Sequence, residues 1–197
     1  MFLFISRTSS AVLLPSLSEL WVKNDIERIK ELFRIIYKYL WIGIFPMIIV
    51  AGVYADFFIS FFFGVKYVSG NLPFQILLIG GLFISLAEIN LTSLLAINKP
   101  VLVAKVYISA AILSILANFI LIPFYGIIGA AIATGISYFF LLCLSIYYLK
   151  KYVHITLPFL SWIKALLGGL ILMKGLYYFK NIFPGSPWLN ILVGGVI

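Results

Sequence analysis

Acidic side chains, histidine and cysteine are nearly absent from this 197-residue chain, which holds six Asp and Glu, one His and one Cys. Four of the six acids fall within 19–31 and the other two, Asp56 and Glu88, stand apart. No cluster of carboxylates or histidines is therefore on hand to hold a divalent ion. With one histidine, no Ser–His–Asp arrangement can be drawn. No G-x-x-x-x-G-K-[ST] loop occurs, so ATP hydrolysis by this chain is excluded. The single Cys143 lies in an apolar run and cannot build a disulfide or a zinc site. The expectation is a protein that is not an enzyme, with no catalytic residue, no metal and no cofactor.

Charge of either sign is scarce as well. Charged residues make up 10% of the chain and hydrophobic ones 64%, with a mean hydropathy of +1.18. A soluble domain is nearer half apolar and a quarter charged, and one core cannot hide such an excess. The composition is that of an integral membrane protein. The charges present are mostly basic, 14 Lys and Arg giving a net +8. They sit mainly between apolar runs, which favours anionic headgroups over nucleic acid as their partner. No cleavable leader is recognisable, because Arg7 follows the first apolar residues instead of preceding them.

A bilayer core needs about 20 apolar residues per helix. On that basis the spans are 2–14 (partial, closed by Pro15), 39–63, 72–97, 101–122, 127–149, 157–179 and the beginning of another at 188–197. The chain reads as a fragment, opening inside one span and ending inside another. Every second connection is basic: Lys23 to Lys38, then Lys99 with Lys105, then Lys150 with Lys151. The excess of Lys and Arg places the loops at 23–38, 98–100 and 150–156 in the cytoplasm of a multi-pass cell-membrane protein. The 23–38 stretch is expected to be helical, with Asn24 as its cap and Glu27 completing the box. Its stripe of Ile26, Ile29, Phe33 and Ile36 would lie in the lipid interface or belong to a solvated connector.

From 118 to 134 the order Asn-Phe-Ile-Leu-Ile-Pro-Phe-Tyr-Gly-Ile-Ile-Gly-Ala-Ala-Ile-Ala-Thr becomes specific. It resembles the N-x-x-L-I-P-x-Y-G-x-x-G-A-A-x-A-T hairpin of polysaccharide exporters in the multidrug/oligosaccharidyl-lipid/polysaccharide flippase superfamily. Leu14-Pro15-Ser16-Leu17-Ser18-Glu19-Leu20-Trp21, continuing through Asn24-Asp25 to Phe33-Arg34, looks like that family's cytoplasmic connector. Asn98-Lys99-Pro100 with Lys105 looks like its next turn. The resemblance implies an all-α, polytopic helix bundle of two six-helix lobes. Residues 1–149 would then be a partial second lobe, and 150–197 two additional spans. The first lobe would be a missing segment or a partner chain. The implied substrate is a lipid-linked oligosaccharide or polysaccharide precursor, flipped by alternating access.

The hairpin also has a physical reading of its own. Pro123 cannot continue a helix interior without losing a hydrogen bond, and Gly126 frees the backbone for a tight turn. Gly129, Ala130, Ala133 and Thr134 recur at the spacings that let membrane helices approach closely.

Ionisable groups within spans are costly and are functional candidates by default. Glu88 is the clearest, as an ion-coupling residue or a member of an ion pair with Lys105. Asp56, toward the outer face, is a second ion-coupling candidate. Lys105 is the one basic residue nominated to meet an anionic pyrophosphate. Lys164 and Lys174 are expected to snorkel. Gln75, Asn90 and Asn118 are expected to bond neighbouring helices. Trp41, Trp162 and Trp188 suit interfacial anchoring, His154 a solvated loop and Cys143 a packing position. Besides flipping, the sequence leaves open multidrug efflux coupled to a cation, and an inactive fragment or assembly subunit.

Overall fold

The computed structural model describes residues 2–153 and 159–182, all helical apart from their connections. The elements are α1 (Phe2–Val22), α2 (Ile26–Val53), α3 (Ala55–Phe63), a 3-10 turn (Val65–Gly70), α4 (Asn71–Ala96), α5 (Pro100–Tyr152) and α6 (Phe159–Ile182). The expected span at 188–197 and the loop residue His154 lie outside the described residues.

Pro15 does not close the first helix. It sits inside α1, which continues to Val22. The Ser16 and Ser18 hydroxyls donate to the carbonyls of Val12 and Leu14 at 3.0 and 2.8 Å, adding partners to the helix around the proline. The turn that follows corrects the expected cap. Asn24 has φ +54, its N–H bonds Trp21 O, and the Asp25 N–H bonds Leu20 O. That pair of bonds is the Schellman closure of α1, with Asn24 as the left-handed residue beyond the helix. The cap of α2 is Asp25, whose carboxylate accepts from Arg28 N at 3.2 Å.

The 23–38 stretch is not a separate interfacial helix, because α2 runs unbroken from Ile26 to Val53. Ile29, Phe33, Tyr37, Leu40 and Ile44 form one buried stripe at three- and four-residue spacing. The connector and the span beyond it thus bury the same helical face, against the rest of the bundle and not in lipid. The expected span 39–63 divides at Tyr54, where α2 gives way to α3.

The end of α4 repeats the Schellman closure: Asn98 has φ +58, its N–H reaches Leu95 O, and Lys99 N reaches Leu94 O. Pro100 then starts α5 at a position where its missing N–H costs nothing. With 53 residues α5 is about twice what a crossing needs. It is two helices joined at Gly126 (φ +56, ψ −130), the dihedrals of the first central residue of a type II′ turn.

The polar contacts fix the packing. Tyr37 to Asn90, Gly52 to Gln75 and Asp56 to Asn71 place α2–α3 antiparallel to α4. The first arm of α5 runs back along α4, pairing Tyr107 with Glu88, and its second arm runs parallel to α4, pairing Ser145 with Asn90. Gly169 of α6 abuts Phe45 and Ile49 of α2. Segments 26–53, 65–96 and 100–152 are long and apolar enough to cross a membrane. The distribution of groups matches that solvent: Phe119, Phe124 and Ile127 are exposed while Ser85, Asn90, Ser93 and Ser145 are fully buried.

Candidate functional site

The three basic turns share one end of the bundle. Ser18 Oγ, whose proton goes to Leu14 O, also lies 3.3 Å from Ala96 O, which brings the end of α1 beside the end of α4. The Lys99 ammonium lies 5.1 Å from the centre of the Tyr152 ring, tying the α4–α5 turn to the end of α5. Ile97 and Val153 are buried beneath these contacts. Among the described residues, the ion pairs are also at this end: Glu19–Lys23, Asp25–Arg28 and Glu27–Lys30.

A polar chain crosses the interior above that end. Tyr37 donates to Asn90 Oδ1, Asn90 Nδ2 donates to Ser145 Oγ at 3.0 Å, and Ser145 donates to Leu142 O at 2.8 Å. All three side chains are buried, and they join α2, α4 and α5. Asn90 therefore bonds neighbouring helices, as does Gln75, whose amide donates to Gly52 O at 3.1 Å. Asn118 differs, turning back to Ser114 of its own helix.

Glu88 is half-buried on α4, ten residues and so about 15 Å from Asn98, half the thickness of a hydrocarbon core. Its carboxylate accepts from Tyr107 Oη at 3.0 Å. No Glu88–Lys105 ion pair is present among the described residues. Residues two apart on a helix face different ways, so the arm that brings Tyr107 to Glu88 turns Lys105 aside, where it is exposed. The site the sequence pointed to is thus a carboxylate–phenol pair with a lysine on the adjoining face.

Asp56 is exposed on α3 and accepts from the Asn71 amide. The two residues border a recess of about 330 Å³ that also takes in Gln75 and, from α6, Met173 and Tyr177. On the other side of Leu78 lies an apolar groove of about 560 Å³, lined by Pro46, Val50, Phe58, Phe62 and Phe74 among others.

The hairpin residues fall at its tip and seam. Pro123 and Gly126 are exposed at the tip, and Gly129 and Ala133 are buried. A methyl group built on Gly129 would stand 2.2 Å from Leu121 O, so the two arms touch backbone to backbone there. A second close approach is Gly80 of α4 against Gly135, where the sequence shows only the Gly80-Gly81 pair and a single glycine at 135. Trp41 is half-buried against Phe45 inside α2. Cys143 and Lys174 are exposed. The side chains of Trp162, Lys164 and Trp188 lie outside the described residues. Sequence reasoning missed Tyr107, Tyr37 and Ser145, because a tyrosine or serine in an apolar run looks like packing until its partner is known.

The chain is 29% identical over 194 residues to an uncharacterized membrane protein of Methanocaldococcus jannaschii, covering 98% of this chain and 38% of that one. It is 24% identical to a probable low-salt glycan biosynthesis flippase, Agl15, of Haloferax volcanii, over 98% of this chain and 41% of that protein. It is 31% identical to the capsular polysaccharide biosynthesis protein CapF of Staphylococcus aureus, over 74% of this chain and 37% of that one. No family model matches. Among solved structures, the lipid II flippase MurJ in an inward closed conformation superposes with a TM-score of 0.80 at 20% identity, over 95% of this chain and 40% of that one. The chain thus spans about two fifths of the length of the relatives it matches.

Proposed function

We propose that this chain, whose relatives and fold are those of the multidrug/oligosaccharidyl-lipid/polysaccharide flippase superfamily, forms part of a transporter that flips a lipid-linked oligosaccharide or polysaccharide precursor across the cytoplasmic membrane. The observation that carries the reading is the match to a glycan biosynthesis flippase along 98% of the chain. The fold supports it. Alternating access requires a second lobe, so the path would lie between this bundle and a further segment or partner chain.

The geometry supports a place for the chemistry. A half-exposed carboxylate about 15 Å from the basic end of α4 is costly against lipid, so the Glu88–Tyr107 flank faces the transport path and not the bilayer. There Glu88 takes up and releases a proton or a cation as the lobes rock, with Tyr107 holding its orientation. Lys105 on the adjoining face meets the pyrophosphate of the substrate. Asp56, at the other end of α4, stands apart from this flank and keeps a coupling role only if the ion leaves on that side. The basic turns at 23–26, 98–100 and 150–153 face the cytoplasm.

The test is a flipping assay with the full-length protein in vesicles, using a fluorescent lipid-linked oligosaccharide. Glu88→Gln is expected to abolish gradient-driven flipping while the protein still inserts. Full activity in that variant overturns the coupling role, and no flipping of any such lipid by the unmodified protein overturns the substrate class.

A further inference from the structure

Tyr107 reaches Glu88 from one edge of the first arm of α5, and that edge continues toward the hairpin tip. Ser114 and Asn118 follow Tyr107 by seven and eleven residues, which returns each to within about 20° of the same helix face. About a quarter of a turn away runs a ridge of another character, the exposed Ile108, Ile112, Ile115 and Phe119, which suits lipid. The arm is thus polar along one edge and apolar along the next.

Depth sharpens the contrast. From Pro100, Ser114 and Asn118 stand about 21 and 27 Å along an arm that reaches Tyr125 at about 39 Å. With the arm centred on a hydrocarbon core of about 30 Å, both residues lie inside the core. The antiparallel pairing of Tyr107 with Glu88 sets Gly81 and Leu77 of α4 at the same two levels. Gly81 has no side chain to cover the edge, and Leu77 is exposed.

Asn118 is half-buried, and its amide is only half satisfied. The nitrogen donates to Ser114 O at 2.8 Å and lies 3.4 Å from Ser114 Oγ. The carbonyl oxygen is turned the other way and has no hydrogen-bond partner among the described residues. An unmet amide oxygen at that depth is costly against lipid, as the Glu88 carboxylate is, so the two share one polar surface. The chemistry differs between their levels. No charged side chain occurs from Ser109 to Tyr125 or from Leu72 to Ala87. A neutral acceptor beside a hydroxyl meets hydroxyl donors well, and a phosphate, which only accepts, poorly.

We infer that Asn118, with Ser114 beside it, is a specificity-determining residue for the uncharged sugar portion of the lipid this protein moves. Asn118 Oδ1 accepts from a sugar hydroxyl about 16 Å beyond the Tyr107 level, on the side away from the basic turns. The assignment rests on the transport reading of the Glu88 flank and adds to it which residues meet the glycan.

The experiment titrates the detergent-purified full-length protein with a polyprenyl pyrophosphate-linked oligosaccharide and with the same polyprenyl pyrophosphate carrying no sugar, reading bound lipid by native mass spectrometry. Asn118→Leu is expected to weaken binding of the oligosaccharide lipid about tenfold and to leave the sugarless lipid unchanged. Unchanged binding of both overturns the proposal, and an equal loss for both overturns it as a general disturbance of the bundle. A second readout needs no lipid ligand. In a Cys143→Ser background in vesicles, a charged thiol reagent is expected to label Asn118→Cys and to spare Phe119→Cys on the neighbouring ridge. An unlabelled Asn118→Cys, covered by another helix, overturns the proposal, as does equal labelling at both positions. The transport reading fails separately, through absence of flipping by the unmodified protein.

Discussion

Tyr37, Asn90 and Ser145 show what a polar side chain is for in a membrane bundle. Lipid offers no hydrogen bonds, so a buried polar group must find its partner on another helix, and finding it selects one packing arrangement. Tyr37→Phe removes the donor to Asn90 Oδ1 and leaves that oxygen buried without it. The expected loss is about 1 kcal/mol of stability in lipid, since such bonds are worth less in membranes than vacuum reasoning suggests. Thermal unfolding in bicelles checks it. A double-mutant cycle with Ser145→Ala should show coupling, because both groups meet the same amide. Of this chain the sequence disclosed only Asn90, since an amide among leucines stands out and a phenol or hydroxyl does not. For the same reason Glu88 was legible as a candidate and Tyr107, its partner, was not.

Among the elements, the α5 hairpin was the most legible and the α2 connector the least. Pro123 and Gly126 announce a turn through their own backbone chemistry, whatever surrounds them. Gly129 is where that turn is tightest: any Cβ meets Leu121 O at 2.2 Å. Gly129→Ala must therefore prise the arms apart, at a cost of about 1–3 kcal/mol or more. Gly135→Ala, whose new methyl group would be 3.9 Å from Ile76, should be nearly neutral. Comparing the melting temperatures of the two variants tests the assignment. The connector was misplaced because its stripe of Ile29 and Phe33 was read correctly but its partner was not. Amphipathicity says which face is apolar, and lipid and protein are equally acceptable covers for it. The cap shifted from Asn24 to Asp25 because asparagine suits both a cap and a left-handed helix end, and the Schellman bonds of α1 decided between them.

For the whole molecule, the shared end of the basic turns carries the topology. Charge alternation along the chain predicts that Lys23, Lys99 and Lys150 lie on one side, and the Ser18–Ala96 and Lys99–Tyr152 contacts join their turns independently of any charge rule. Cysteines placed singly at these three positions, in a Cys143→Ser background, should all be labelled by a membrane-impermeant reagent from the cytoplasmic side only. One position labelled from outside breaks the shared-end arrangement, and all three from outside reverses the orientation.

Composition and periodicity by themselves determined that the chain is a helical, multi-pass membrane protein, where most of its helices turn, and which carboxylates are out of place. These are local properties, set by transfer free energies and backbone dihedrals that each segment carries with it. Which helix face meets protein, which phenol reaches Glu88, and that Asn71 closes a recess with Asp56 and Tyr177 were decided only by the tertiary structure. Those facts depend on residues far apart in the chain arriving at one place. In a bundle whose surface is as apolar as its core, no hydropathy pattern distinguishes the two.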